Sequence, residues 1–494
     1  MGLFFTQNKL KGIMAKRDLT PKSESMSKWY TQVIQQAKLA DYSPVKGCMV
    51  IRPNGYGLWE HIQQSYQPML SAMRVKNAYF PLFIPMSFLE KEADHVEGFA
   101  PELAVVTHAG GEELTEKLVV RPTSETIMYH MYSKWIQSHR DLPLKINQWN
   151  NVVRWEKRTN FFLRTTEFLW QEAHSAHATQ AEALTTMYDA LESYRKISED
   201  FLAIPVVKGR KSESEKFAGA VVTTTIEALM PDGKALQSGT SHHLGQNFSK
   251  AKAFNISFQD SSDTLQYVWQ NSWGLSTRII GALIMTHGDD EGLVLPPRIA
   301  PTQVLVVNAT KDQETLDTVA TITDVLIQEE VRAEANTEIA TSMGWKINDA
   351  ELEGIPLVIV VGARELASGK VSVSVRYNHE KISMDIATLG QTIPKLLEDI
   401  QLALFDAAKQ RQEALTFEAS TFDDFKKIMT ENRGFIKAFW CEDTACETAI
   451  KEETKATTRC LPFTNHEGDV EEAHGTCVHC GKPATHTWLF AQAY

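Results

Sequence analysis

The stretch Arg154–His174, RWEKRTNFFLRTTEFLWQEAH, decides how the rest of the chain is read. An arginine, an acid two residues later, a short basic loop, a second arginine and an aromatic run suit one task. They fit an antiparallel strand–loop–strand that grips a nucleoside triphosphate without a glycine-rich cradle. A planar guanidinium presents forked donors to carboxylate or phosphate, so Arg154 can hold two anionic substrates where they react. Phe168 offers a face on which a purine can stack. The competing reading is an exposed hairpin of solvated charges.

A distant segment weighs against that alternative. Gly274-Leu275-Ser276-Thr277-Arg278, followed by Ile279-Ile280-Gly281-Ala282-Leu283-Ile284, reads as a glycine-rich strand end entering an apolar helix with an arginine near its start. An RxE hairpin followed by a GxSxR helix resembles the second and third signature motifs of class II aminoacyl-tRNA synthetases. FLRTTEFLWQEAHSAHAT, LQSGTSHHLGQNFSKAKAF, NSWGLSTRIIGALIMTHGDDEGLVLPPRIAP and the terminal Tyr494 narrow it further. They resemble the prolyl-tRNA synthetases of the archaeal/eukaryotic-like variety, from about Ser27 to Tyr494. The interval between the Arg154 hairpin and Arg278 is too short for the inserted editing domain of the typical bacterial type. A threonyl enzyme would carry zinc in its catalytic core, which here has one cysteine.

The resemblance implies a mixed α/β (α+β) protein. It would have a class II antiparallel-sheet catalytic domain, an α/β anticodon-binding domain and a small C-terminal zinc-binding α+β domain. It also implies a homodimer that joins L-proline to tRNA(Pro) with ATP. A relative that had lost catalysis would show it first at Arg154, Glu156 or Arg278, and all three are present.

Composition agrees with a large enzyme. At 494 residues the chain exceeds one core, so two or three domains are expected. No apolar run reaches the roughly 18 residues of a spanning helix, so no membrane partner is expected. The net charge of −12 argues against a protein that coats nucleic acid, and DNA is not an expected partner. RNA would have to meet local basic patches, for which Lys145, Arg154, Lys157, Arg158 and Arg164 are candidates. The N-terminal MGLFFT fits a myristoylation pattern, and Lys9, Lys11, Lys16 and Arg17 resemble a transit peptide. Met14-Ala15-Lys16 also reads as a natural start, so residues 1–26 are taken as a leader and the location as cytoplasmic.

Periodicity organises the remainder. Trp29, Tyr30, Val33, Ile34 and Ala37 mark one amphipathic helix, and Leu58, Ile62, Tyr66, Met69 and Met73 a longer one. Ala78–Pro85 reads as a buried strand, completing a pattern that matches the first class II motif, the dimer interface in that family. Arg121-Pro122-Thr123-Ser124-Glu125-Thr126 opens a helix, where Thr123 and Ser124 are candidate caps and Glu125 a first-turn acid. Three prolines in Pro296–Pro301 mark a linker. Beyond it, strands at Gln303–Asn308, Ile355–Gly362 and Lys370–Tyr377 accompany helices at Thr315–Ala333 and Asp385–Gln412, a small α/β domain. The expected division is 27–296 catalytic, 297–412 anticodon-binding and 413–494 zinc-binding.

Activating an amino acid requires its carboxylate to attack the α-phosphorus of ATP. Two anions repel as they approach, so positive charge must be in place beforehand. The resemblance makes Arg154 the bridge between carboxylate and α-phosphate and puts Arg278 on the γ-phosphate. Arg164 bends the triphosphate, Glu156 accepts from the adenine amino group, and Phe168 stacks on the ring. Gln237, Thr240 and Ser276 also contact the nucleotide. Mg²⁺ is implied by the triphosphate chemistry rather than by a carboxylate cluster.

Proline is a secondary amine with an apolar ring. Glu125 and Thr123 can accept from the ammonium. Trp170, His174, Phe217 and His242 match the family's proline pocket, with Glu172 and Gly274 beside it; singly, each would more often be a core residue. A metal at His174 and His177, or at His242 and His243, is not expected for want of a third ligand.

Cys441-x4-Cys446 and Cys477-x2-Cys480 supply four thiolates at spacings suited to a closed, structural Zn²⁺ site. In a reducing cytosol such crowding favours metal over disulfides. Cys48 and Cys460 are spare, and His479 is the competing ligand. The anticodon region departs from the family: Ala350 stands where an aromatic is usual, and Pro356–Gly362 is unusually apolar. Glu351 and Arg364 remain candidate contacts to anticodon bases.

Overall fold

The computed structural model describes residues 19–90 and 103–494. The MGLFFT and Met14-Ala15-Lys16 signals lie outside the described residues. The chain forms two compact units: Lys38–His287 with Leu295–Pro301 and Leu396–Tyr494, and the described residues up to Ala37 with Gly288–Val294 and Thr302–Lys395.

The larger unit is built on the hairpin. Strand β1 (Leu144–Val153) runs antiparallel to β2 (Glu167–His177), with Val153 opposite Glu167. Strands β3 (Val206–Arg210), β4 (Val222–Leu229), β5 (Ala235–Gly245) and β6 (Trp269–Ser276) continue the sheet. Side chains alternate between faces of a strand, so Trp170, Glu172 and His174 share one face of β2. Register carries that face across the sheet. Glu172 lies opposite Gly274, and Gly274 opposite Thr240. One rung along, His174, Ser272, His242 and Thr223 form a row across four strands.

Helices cover the sheet and deliver the rest of the site. The helix α1 (Pro53–Ala72) starts at a proline and buries Leu58, Trp59, Ile62, Tyr66 and Leu70. Then α2 (Glu125–Trp135) begins beside Glu172, and α3 (Gln180–Lys196) opens with a Thr179/Glu182 capping box. Along α3, Ala183, Met187, Ala190, Leu191 and Tyr194 are buried at helical spacing. Immediately after β6 comes α4 (Arg278–His287), whose apolar residues are all buried.

The C-terminal segment joins the same sheet. After strand β7 (Thr416–Glu418), strands β8 (Phe435–Phe439), β9 (Ala456–Pro462) and β10 (Thr487–Gln492) pack with Phe425, Met429, Trp440 and Ile450 in a core of their own. Leu461 and Pro462 of β9 pair with Arg210 and Gly209 of β3. A Cβ at Gly209 would stand 2.4 Å from the Leu461 carbonyl oxygen, so the junction requires glycine. Among the described residues the order is β7-β8-β10-β9-β3-β4-β5-β6-β2-β1, with Lys76–Asn77 at the far edge.

In the smaller unit, strands Val304–Asn308, Ala333–Asn336 and Leu357–Val361 are parallel, and Lys370–Val375 and Lys381–Asp385 extend them antiparallel. Arg376 donates to both carboxylate oxygens of Asp289 at 2.8 and 2.6 Å, and the Asp289 carbonyl accepts from the Trp29 indole. These bonds tie 288–294 and the helix Met26–Gln36 into this unit.

Three local expectations change. The helix read as Thr315–Ala333 spans Gln313–Gln328, since Glu330 turns through a left-handed conformation and Ala333 starts a strand. Ala350 sits on a helix, Met343–Glu353, buried beside Leu305, Val307 and Val358. Ala78–Pro85 is not one buried strand: only Phe83–Pro85 is regular, and Tyr79 and Phe83 are exposed.

Candidate active site

The face that carries Trp170, Glu172 and His174 floors a cavity of about 220 Å³. Thr123, Glu125, Arg154, Phe217, His242 and Gly274 line it with them. All nine positions assigned to the amino acid therefore meet in one place. Gln237 and Thr240, assigned to the nucleotide, line this cavity too.

Glu172 is the wired centre of the floor. It accepts from the Ser124 backbone N–H at 2.9 Å, the Ser124 hydroxyl, the Asn150 amide at 2.6 Å and the His174 ring at 3.3 Å. Burial alone would raise its pKa, but these donors, His174 foremost, hold it below the ordinary carboxylate range. His174 answers in kind: burial pushes its pKa down, yet Glu125 and Glu172 leave it net raised. Ser124 occupies the N-cap position of α2 but caps nothing, because its hydroxyl serves Glu172. Thr123 donates to Glu125.

The remaining walls are apolar or neutral. The His242 ring lies 4.8 Å from the Phe217 ring, with Nδ1 2.9 Å from the Thr223 hydroxyl. Burial, assisted by His174, pulls His242 down to about 3, so the ring is neutral. A Cβ at Gly274 would stand 3.2 Å from the Trp170 ring, so glycine lets the indole lie along β6. The Trp170 indole N–H and the Ser272 hydroxyl are buried without partners, two orphans that a polar ligand can satisfy.

Glu125, Glu172 and His174 bring ligand atoms within 4.8 Å of one another, so His174 does have neighbours a cation could use. His174 therefore does not lack further ligands, contrary to what residue spacing predicts. Most acceptor capacity of Glu172 is already taken by Ser124 and Asn150, which leaves few lone pairs there for a metal. His177 and His243 line neither this cavity nor the adjoining cleft.

Arg154 continues into a second, narrower cleft with Glu156, Arg164, Phe168, Ser276 and Arg278. Its guanidinium carbon is 5.5 Å from the Phe168 ring centre and 5.2 Å from that of Trp170, and Nε donates to the Pro122 carbonyl at 3.1 Å. Arg278 Nε donates to the Leu163 carbonyl at 3.0 Å. Burial first, then repulsion from Arg164 and Arg154, pulls Arg278 down to about 10. Lys145 does not join these arginines: it lies at the opposite end of β1, donating to the Met73 carbonyl. The proposed basic patch is therefore divided.

The four sulfurs of Cys441, Cys446, Cys477 and Cys480 all lie within 4.8 Å of one another. Cys441 is 3.6 Å from Cys446 and 3.7 Å from Cys480. Thiolates about 2.3 Å from a tetrahedral zinc stand about 3.8 Å apart, so the set fits that ion. Neither Cys460 nor His479 belongs to the cluster. Tyr494 lies on β5, its N–H donating to the Ala235 carbonyl at 3.1 Å.

Sequence reading missed Glu215, Thr223, Ser272 and Trp273, which also line the cavity, and Asn150, which holds Glu172. Register alone could have found Ser272 and Thr223, since both fall in the row of His174 and His242.

An antiparallel sheet bearing an acid-rich cavity and an arginine cleft joined by one arginine defines a class II synthetase core. Residues 106–287 match the family described as tRNA synthetase class II core domain (G, H, P, S and T). Residues 303–396 match an anticodon binding domain and 422–494 the C-terminal domain of prolyl-tRNA synthetase. The chain is 51% identical over 481 residues to the proline–tRNA ligase of Chlorobium chlorochromatii (strain CaD3), covering 96% of this chain and 99% of that protein. It is 48% identical to that of Clostridium novyi (strain NT) over 480 residues, covering 96% and 98%. The crystal structure of prolyl-tRNA synthetase from Cryptosporidium parvum, complexed with halofuginone and AMPPNP, matches with a TM-score of 0.90 at 43% identity, covering 96% of this chain and 99% of that one. The chain belongs to the proline–tRNA ligase family.

Proposed function

We propose that the chain activates L-proline with ATP to prolyl-adenylate, releasing diphosphate, and passes the prolyl group to the 3′ end of tRNA(Pro), releasing AMP. One observation carries this reading: Arg154 lines both the acid-rich cavity and the arginine cleft. The carboxylate and the α-phosphate must meet between those spaces, and a guanidinium fixed in advance offsets their repulsion.

Glu125 and Thr123 take the secondary ammonium, and Trp170, Phe217 and neutral His242 enclose the ring. Glu172 and His174 hold that floor in shape. Glu156 and Phe168 receive the adenine; Arg164 and Arg278 receive the outer phosphates, with Ser276, Gln237 and Thr240 alongside. Mg²⁺ supplies further neutralisation when ATP is bound. Zn²⁺ on Cys441, Cys446, Cys477 and Cys480 supplies a closed structural clip. Residues 27–296 carry activation, 297–412 read the anticodon and 413–494 form the zinc-binding part. The enzyme acts in the cytoplasm as a homodimer, and exposed Tyr79 and Phe83 offer apolar surface for a second copy.

Amino-acid-dependent ATP–diphosphate exchange tests the reading. Proline should stimulate exchange above threonine or histidine. No stimulation by any amino acid in folded protein would overturn the enzyme reading, and a preference for threonine or histidine would overturn the pocket assignment.

A further inference from the structure

Glu215 and Phe217 reach the cavity from the 211–221 segment that links β3 to β4. Part of its anchorage is local. The Phe217 N–H donates to the Thr223 hydroxyl at 2.9 Å, and the Val221 N–H to the His243 carbonyl at 2.8 Å. The first half of the segment is held from elsewhere. Glu447 lies on the helix α5 (Thr444–Thr454) of the C-terminal segment. One of its carboxylate oxygens accepts from Ser212 at 2.8 Å, and the other accepts from Ser214. Thr458 of β9 donates to the first oxygen, and its hydroxyl lies 2.9 Å from that of Ser212.

Glu447, Ser212 and Thr458 are all buried. Lys451, one turn along α5, stands 3.9 Å from the Glu215 carboxylate. At the root of the segment, Lys211 and Arg459 converge on buried Glu227, each at 2.7 Å. A buried carboxylate is costly unless donors surround it, and packing alone would be met by an apolar residue of the same size. Two of the three hydroxyls on Glu447 belong to the segment that carries a wall of the cavity.

We propose that Glu447 is a positioning residue for the amino-acid cavity: it holds the 211–221 segment so that Phe217 closes over the substrate, and the C-terminal segment thereby sets the affinity for proline. This rests on the function proposed above. In the full chain, Glu447→Ala should raise the proline KM about tenfold, the size of one lost charge-assisted hydrogen bond. The ATP KM should stay within about twofold, because the arginine cleft does not touch this segment. Glu447→Gln keeps one acceptor oxygen and should fall between. Amide hydrogen exchange should quicken over 211–221 in Glu447→Ala, whatever the activity.

If Glu447→Ala fails to fold, the Ser212→Ala/Ser214→Ala pair removes the same bonds from the other side and should raise the proline KM alike. A folded variant whose proline KM and 211–221 exchange both match the parent would overturn the inference. So would equal rises in proline and ATP KM, which mark general loosening. A parent chain with no proline-dependent exchange defeats the proposed function and this inference together. An active parent with an unaltered variant defeats the inference alone.

Discussion

The two spaces that meet at Arg154 follow opposite electrostatic plans. In the acid-rich cavity the floor is answered internally: Glu172 is held by Ser124, Asn150 and His174, and His174 by two carboxylates. In the arginine cleft three arginines gather around one acid, Glu156, which stands 3.8 Å from Arg164. Burial and like charge pull Arg278 down to about 10. The first space is a mould finished before substrate arrives; the second holds repulsion that an anion relieves. Damage to one should therefore alter the requirement for proline, damage to the other the requirement for ATP. Damage at their junction should alter the chemistry itself.

The largest effect belongs to that junction. Arg154→Ala should cut proline-dependent exchange about a hundredfold or more, since a preorganised charge in a dry site commonly contributes about 3 kcal/mol to the barrier. Melting should change little, because the half-buried side chain faces the cavity and the cleft rather than the core. Equal exchange rates in variant and parent would remove Arg154 from the mechanism. Within the cavity, Glu125→Gln should raise the proline KM about tenfold, in keeping with about 1.5–3 kcal/mol for a hydrogen bond to a charged group. The ATP KM should hold. A defect mainly on the ATP side would return Glu125 to the role of a helix-start acid.

Acid separates the sheet's neutral histidines from its charged floor. Burial first, with Lys145 and His243 adding, lowers His177 to about 3, while its unfolded value is near 6.5. A depressed pKa contributes fully above about 6.5 and is lost as pH falls toward 3, because the unfolded chain takes up a proton that the folded one refuses. Each such group loses about 1.4 kcal/mol per pH unit, or about 2 kcal/mol by pH 5. His242 follows the same sign, whereas the raised pKa of His174 acts above about 6.5, where stability is gained as pH falls and is fully present below that value. Replacing His177 by Asn should flatten the denaturation midpoint between pH 6.5 and 5. An unchanged slope would show that His177 is already protonated in the folded protein.

What was legible in the sequence follows from locality. The RxE hairpin and the GxSxR turn are contiguous motifs, so β2, β6, α4 and their arginines could be read directly. The row His174, Ser272, His242, Thr223 depends on register between strands distant in sequence, so its histidines came from resemblance and its Ser and Thr escaped notice. Glu447 was beyond reach, since nothing near it in the sequence announces a partner 235 residues away. Tyr79 and Phe83 misled because apolar residues beside prolines look alike whether they face a core or a surface. The capping role offered for Ser124 failed for a related reason: a hydroxyl before a helix caps only if no buried carboxylate competes for it.

The smallest effect on activation, and the sharpest limit on the comparison, is expected at the thiolates. Zinc binding to deprotonated cysteines contributes directly to the folding of small domains. One ion per chain is expected on Cys441, Cys446, Cys477 and Cys480, and Cys477→Ser should loosen residues beyond about Glu413 and quicken their proteolysis. The C-terminal segment nevertheless retains its own core around Trp440, Trp488 and Phe490 and its pairing with β3. Some damage should reach the cavity through Glu447, the neighbour of Cys446, and through Tyr494 on β5. The proline KM should rise less than in Glu447→Ala, and the ATP KM should not move. Elemental analysis of protein purified without chelator decides the first part. Substoichiometric metal beside a fully protease-resistant C-terminal segment would show that this segment stands without zinc and would overturn the cysteine reading.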